Sequence, residues 1–327
     1  MAIDRKISVA PMMDWTDRHC RYFHRLLAPH ALLYTEMLVA KAVLRGDRTR
    51  LLAFDPAERP VALQLGGCDP GELAEAATIG EAAGYAEINL NVGCPSDRVR
   101  SGAFGACLMA EPALVAGCVR RMRAAVRVPV TVKCRIGIDD RQDYGFFGAF
   151  AAAQADAGAD ALIVHARAAI LRGLSPKQNR EIPPLRYDYV HRLKRERPSL
   201  NVVVNGGIAD VAAARSHFAA GVDGVMLGRA AYHRPALLAA LEREFIDPAW
   251  DMPAPPALIG RLVAYARGEI LAGSRLHSIT RHLHGLVVGT DGARAWRRFL
   301  ADLALRPDAG PETLAAALPL VRGSLAA

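Results

Sequence analysis
Short runs of apolar, often β-branched residues recur along the chain. They begin near Ile7, Leu32, Val61, Glu87, Val130, Ala161, Val202 and Gly224, spaced 22 to 43 residues apart. Runs of this kind, apolar at nearly every position, predict strands covered on both faces. Between them lie longer alanine- and leucine-rich stretches, such as Pro70 to Ala83, Pro112 to Val126 and Val211 to Ala220, which predict helices. Strand then helix, repeated eight times, predicts an α/β fold: a (β/α)8 TIM barrel of parallel strands ringed by helices. An open doubly wound sheet is the competing fold. It usually carries a GxGxxG turn after its first strand, and here that strand runs into Ala10-Pro11-Met12-Met13-Asp14 instead.

The two longest spacings follow the fourth and sixth strands, and the extra residues fall at 91–110 and 167–186. Both segments are expected as loops on the catalytic face, where a barrel builds specificity. The barrel is expected to end near Phe245. Asp247 to Pro256 is proline-rich and reads as a linker, followed by helical patterns at 258–272, 275–288, 291–304 and a last segment from 311 to 325. The expected division is therefore a barrel domain at 1–245, a linker at 246–256 and a small C-terminal helical domain at 257–327.

Composition narrows the function. Apolar residues make up 52% of the 327 positions, ample for a large core. The net charge of +8 would attract a polyanion, although many soluble enzymes are mildly basic. The six cysteines form no CxxC pair and fit no zinc spacing, so we expect no metal and a reducing, cytoplasmic compartment. No uncharged apolar run is long enough to span a membrane, and no signal peptide is expected.

The candidate chemistry gathers at strand ends. Glu87-Ile88-Asn89-Leu90-Asn91-Val92-Gly93-Cys94-Pro95 begins as a strand and breaks at Gly93, which leaves Cys94 at the active end of a barrel. Cys94 has three readings. It is a nucleophile with a depressed pKa, an inert structural residue, or a general acid that stays protonated near neutrality, since an unperturbed thiol has a pKa of about 8.5. Lys133 alternates with Val132 and Cys134, so it points inward or to the rim. It either meets an anionic or polar ligand or forms a structural ion pair. Gln64 and His165 each end a strand at the level of Lys133 and Cys94, and polar groups converging on a barrel mouth usually line a ligand pocket. Asn205-Gly206-Gly207 and Gly228-Arg229 end the last two strands; they are either two ordinary glycine turns or, at the usual place in a barrel, a phosphate site, and their paired position favours the latter. Basic residues cluster twice. Residues 167–197 hold nine Lys/Arg against three acids, and 261–306 hold eight arginines against three acids. Any one of these is most simply a solvated side chain, but two clusters suit a large polyanion gripped at two places.

These residues resemble the flavin-dependent tRNA-dihydrouridine synthases, and within them the A subfamily. The likeness runs from Ala10 to about Leu300. It rests on Ala10-Pro11-Met12-Met13-Asp14-Trp15-Thr16-Asp17, Leu63-Gln64-Leu65-Gly66-Gly67, Asn89 to Pro95, Val132-Lys133, His165-Ala166-Arg167, Asn205-Gly206-Gly207 and Gly228-Arg229. Leu174-Ser175-Pro176-Lys177, Asn179 to Pro184, Ile279 to His282 and Gly292 to Arg298 point to the subfamily. The resemblance implies an FMN-dependent reductase that uses NADPH to saturate uridine in the tRNA D-loop, at positions 20 and 20a. It implies that Pro11, Met12, Met13, Gln64, Lys133 and His165 hold the flavin ring and sugar chain, and that Asn205, Gly206, Gly207, Gly228 and Arg229 hold its phosphate. Cys94 would donate the proton. Asn91, Lys177 and Arg180 would meet the substrate near the site, and Arg294, Arg297 and Arg298 would grip RNA from the helical domain. A monomer is expected. The family's usual lysine after His-Ala-Arg is Ala168 here, which removes one expected RNA contact.

Two rival readings differ in class. One keeps a flavin barrel but turns it on a free pyrimidine, which would need neither a helical domain nor two arginine clusters. The other is an RNA-binding scaffold without catalysis.

Overall fold
A computed structural model of the protein describes residues 3–96, 102, 104–289, 292–304, 306 and 309–320. Eight parallel strands close on themselves: β1 (Ile7–Val9), β2 (Leu32–Tyr34), β4 (Val61–Gly66), β5 (Glu87–Val92), β6 (Val130–Arg135), β7 (Ala161–His165), β8 (Asn201–Asn205) and β9 (Gly224–Leu227). Each starts within one residue of its sequence-based expectation. A two-residue strand that the hydrophobic pattern did not reveal, β3 (Leu38–Val39), extends the mouth by pairing with the end of β4. It is too short to show any periodicity.

The helices owe their starts to local chemistry. Asp69, Asp143 and Asp210 each accept a backbone N–H from the first turn of Pro70–Ala82, Tyr144–Asp156 and Val211–Ala219. Pro70 and Pro112 sit at helix starts, where a missing N–H costs nothing. The main core lies between strands and helices. A smaller apolar cluster inside the barrel contains Leu32, Tyr34, Ile163, Val203 and Met226.

The C-terminal segment differs in detail from its periodicity. The helix expected from 258 starts at Pro255, and the pattern at 275–288 yields only Leu276–Thr280, followed by turns. Buried His282, Leu283 and Leu286 mimic helical spacing there while packing as a turn. Ala293–Ala304 is helical, and the last described stretch, Pro311–Leu320, is a 3-10 helix. Residues 321–325 of the expected last segment lie outside the described residues.

This segment packs on the helix Arg18–Leu27, directly after the loop that leaves β1. Tyr265 stacks on Tyr22 at 3.8 Å, and its hydroxyl meets His19 Nδ1 at 2.8 Å. Asp17 caps that helix and pairs with Arg281 (2.6 Å) and His282 (3.0 Å). Burial alone would raise the Asp17 pKa. The bonds from His282 and Arg281 outweigh it and hold the carboxylate well below its usual range.

Candidate active site
Parallel register brings the expected residues to one level. Asn91 pairs with Lys133, Arg135 with His165, and His165 with Asn205 across β5 to β8. A cavity of about 790 Å³ opens there. Pro11, Met12, Met13, Gln64, Lys133, His165, Asn205, Gly206, Gly207, Gly228 and Arg229 all line it, together with Asn91, Cys94 and Arg180.

The cysteine turn is built by Asn91. Its Oδ1 accepts from the backbone N–H of Gly93 (3.1 Å) and of Cys94 (3.0 Å), as short amide side chains do at turns. The Cys94 carbonyl accepts from the Ala106 N–H (2.9 Å), so the loop after β5 returns to fix the turn. Cys94 Sγ lies on the cavity wall, 3.5 Å from Ser96 Oγ. The inert reading of this cysteine is weakened, because the residue is only partly buried and lines the cavity.

Asn91 is itself oriented from below. Its Nδ2 donates to Gln64 Oε1, Gln64 Nε2 donates to Asn89 Oδ1 (each 2.8 Å), and Asn89 Nδ2 donates to Thr131 Oγ1 (2.9 Å). The Thr131 hydroxyl donates to the Glu87 carboxylate at 2.6 Å. An ionised carboxylate only accepts, so Glu87 gives every amide in this chain one direction. Arg5 and Tyr34 hold Glu87 on the barrel floor at 2.6 Å each. Gln64 therefore reaches the cavity with its amide already oriented.

Lys133 makes no ion pair among the described residues. Its ammonium donates to Asn205 Oδ1 at 3.0 Å, and Asn205 Nδ2 donates to the Met226 carbonyl at 2.7 Å. Burial, aided by the nearby Arg135 charge, lowers the Lys133 pKa to about 8. His165 is pushed well below its ordinary value by burial and by Arg135 and Lys133, so it is a neutral imidazole at pH 7.

Backbone geometry shapes the far end of the cavity. Gly206 and Gly207 have φ of +106° and +73°, which only glycine adopts without strain. A Cβ on Gly206 would lie 2.6 Å from His165 Cδ2, and one on Gly207 would lie 2.6 Å from the Tyr187 hydroxyl. Tyr187 donates to the Gly206 carbonyl at 2.6 Å and steadies this loop. Arg229 pairs with Glu181 at 2.5 Å, which ties the end of β9 to the long loop after β7.

The candidate RNA contacts are not all brought together. Arg180 borders the cavity. Lys177 is exposed and does not line it. Arg294, Arg297 and Arg298 lie on the exposed face of Ala293–Ala304, whose Trp296 and Leu300 are buried, and none of them borders the cavity. Ala168 is 2% exposed, and its carbonyl accepts from Arg135. The side chain at this position turns inward in this chain.

Sequence reasoning missed Arg135. It lines the cavity, is 2% exposed, and holds three loop carbonyls. The alternation that selected Lys133 also puts Arg135 on the inner face, so the signal was present in β6. It missed Trp15 as well, which stacks on Tyr232 at 4.4 Å beside the mouth.

The family model for dihydrouridine synthases matches residues 8–320, almost the whole chain. The chain belongs to the dihydrouridine synthase family. Relatives named tRNA-dihydrouridine(20/20a) synthase include one from Xanthomonas axonopodis pv. citri, 55% identical over 97% of this chain and 94% of its own. One from Synechocystis is 54% identical over 95% and 93%, and one from Yersinia pestis is 50% identical over 98% and 92%. As a dihydrouridine synthase the protein is an enzyme, and the scaffold reading falls. No helix among the described residues is long and apolar enough to cross a membrane. Among those residues no group of three or more His, Cys, Asp or Glu is placed to hold a metal ion.

Proposed function
We propose that this synthase reduces the carbon 5–carbon 6 double bond of uridine in the tRNA D-loop, at positions 20 and 20a, with FMN as cofactor and NADPH as reductant. The observation that carries this reading is the convergence of Cys94, Lys133, Gln64 and a glycine cradle on one cavity in a chain of this family. We place the work in the cytoplasm, by a monomer in which residues 1–245 form the catalytic domain. Residues 246–256 would link it to a tRNA-gripping helical domain at 257–327.

The cavity fits FMN on its own terms. Its volume lies within the range of roughly 300–1,000 Å³ typical of small-ligand sites. Gly206 and Gly207 have positive φ and no room for a Cβ, because His165, Leu185 and Tyr187 pack against them, and this tight turn stands at the cavity edge where a phosphate would sit. Arg229 at its edge adds a charge-assisted donor, and Gly228 and Asn205 complete the far wall. Pro11, Met12 and Met13 supply an apolar wall, and Gln64 and His165 supply neutral hydrogen-bonding groups.

When bound, FMN would supply the hydride to carbon 6 of the uracil. The chain's own residues do the rest. Lys133 keeps its proton at neutral pH, because its pKa stays near 8, and balances negative charge on the pyrimidine edge of the ring. Asn91, oriented from the barrel floor, meets the substrate base. The Cys94 thiol donates its proton to carbon 5, and a thiol is weak enough to hold that proton until charge develops there. The base must leave the RNA stack to reach the thiol, at a cost of a few kcal/mol. Contacts from Lys177, Arg180, Arg294, Arg297 and Arg298 offset that cost.

The test is to supply unmodified tRNA or free uridine with NADPH and FMN, and to measure dihydrouridine by mass spectrometry. Product in tRNA, mapped to positions 20 and 20a, is expected. Faster turnover of free uridine would favour the rival pyrimidine reductase.

A further inference from the structure
We propose that Arg135 is a positioning residue that ties the Cys94 turn to the loop after β7, so that the proton donor and the substrate-side cations keep one register. This rests on the function proposed above and extends it to a residue outside that scheme.

Three carbonyls from three points of the chain converge on this guanidinium. Nε donates to the Gly93 carbonyl at 3.2 Å, immediately before Cys94. One terminal nitrogen donates to Ala168 (3.0 Å) and to Asn179 (2.8 Å), both on the long loop. Asn179 is fully buried. It accepts from the Ile170 N–H (2.7 Å) and donates to the carbonyls of Ile170 and Leu174. The loop is thus folded around Asn179, and Arg135 docks it as one piece. Arg180, the residue after Asn179, borders the cavity, and Lys177 lies two residues before Asn179. The loop is also joined to the turn after β6, through the Asp139 N–H to the Ala169 carbonyl, the Ala169 N–H to the Gly137 carbonyl and the Leu171 N–H to Asp139 Oδ1, and to the end of β9 through Arg229, which pairs with Glu181 and donates to the Arg180 carbonyl. Arg135 is the buried side chain that adds the Cys94 turn to this set.

A planar fork suits this task and an ammonium does not. A guanidinium presents donors at fixed angles to several acceptors, whereas a lysine offers one mobile point charge. Burial lowers the Arg135 pKa only to about 10, so it remains charged at neutral pH. The design separates a tie made by geometry from a role played by charge alone.

The experiment compares Arg135→Lys and Arg135→Met with the wild-type holoenzyme. Loop docking is read by trypsin cleavage after the exposed Arg172, Lys177 and Arg180, which requires neither cofactor nor tRNA. Both variants should be cut at these sites at least ~10-fold faster, because docking no longer suppresses local opening. Both should raise the KM for tRNA. They should also lower kcat by roughly 10–100-fold, the scale of a small misplacement. Arg135→Lys keeps charge and stem, and covers the case in which the methionine variant does not fold. Full recovery of kcat and KM by lysine would overturn the tie in favour of charge. Cleavage of the variants at the wild-type rate would also overturn it. If the wild-type enzyme forms no dihydrouridine, the proposed function fails, and the trypsin result still judges the tie.

Discussion
Replacing Lys133 with methionine should stabilise the cofactor-free protein. The half-buried ammonium has no carboxylate partner among the described residues, and its pKa falls from 10.5 to about 8. That gap corresponds to about 3 kcal/mol of native-state penalty, at about 1.4 kcal/mol per pH unit. The cavity is open to water, so this figure is a ceiling. Methionine matches the stem but leaves Asn205 Oδ1 without its donor, which costs about 1 kcal/mol. The net gain at pH 7 is about 2 kcal/mol, or roughly 4–8 °C in Tm for a domain of this size.

The sign of the pH dependence follows. The folded-state pKa is depressed, so the unfolded chain binds more protons between pH 8 and 10.5, and wild-type stability rises across that window. Below pH 8 the penalty is complete and constant. The advantage of Lys133→Met should therefore be full at pH 7 and shrink towards pH 10. Melting curves of both cofactor-free proteins at the two pH values measure it. Saturating FMN should reverse the order, because the wild type gains a partner for its charge and the variant does not. A variant less stable than wild type at pH 7, or an advantage independent of pH, would refute the reasoning.

Other outcomes are as direct. Cys94→Ala should keep FMN and tRNA affinity while kcat falls by about 10²–10⁴, the usual range for a lost general acid, and normal single-turnover reduction of tRNA would place the acid elsewhere. Gly206→Ala should lose about 1–3 kcal/mol of stability from its φ of +106° and the approach to His165, and should weaken FMN binding measured by flavin fluorescence. Arg297→Ala combined with Arg298→Ala should flatten the salt dependence of tRNA binding by roughly one unit of slope per lost phosphate contact, and an unchanged slope would remove both from the interface.

The chain's own pattern of residues determined the barrel, its eight strand starts and about half of the residues that line the cavity. Those features are local. A strand buried on both faces writes itself as an apolar run, and a turn that must pass near a ligand writes itself as glycine. Lys133 and Cys94 were legible for the same reason, since alternation and strand ends fix where a side chain points. What Lys133 does there was not legible. Either an ion pair or a free ammonium fits Val130 to Arg135, and only barrel closure shows that Asn205, distant in sequence, lies beside it. Arg135 needed still more. Its acceptors at Gly93, Ala168 and Asn179 are distant in sequence, and they meet only because register and loop folding bring three carbonyls to one guanidinium. The turns after Thr280 misled the pattern because packing against Asp17 and Tyr232, not periodicity, buries His282. Periodicity is a property of neighbours in sequence, whereas hydrogen-bond partners are a property of closure, and tertiary structure alone supplies closure.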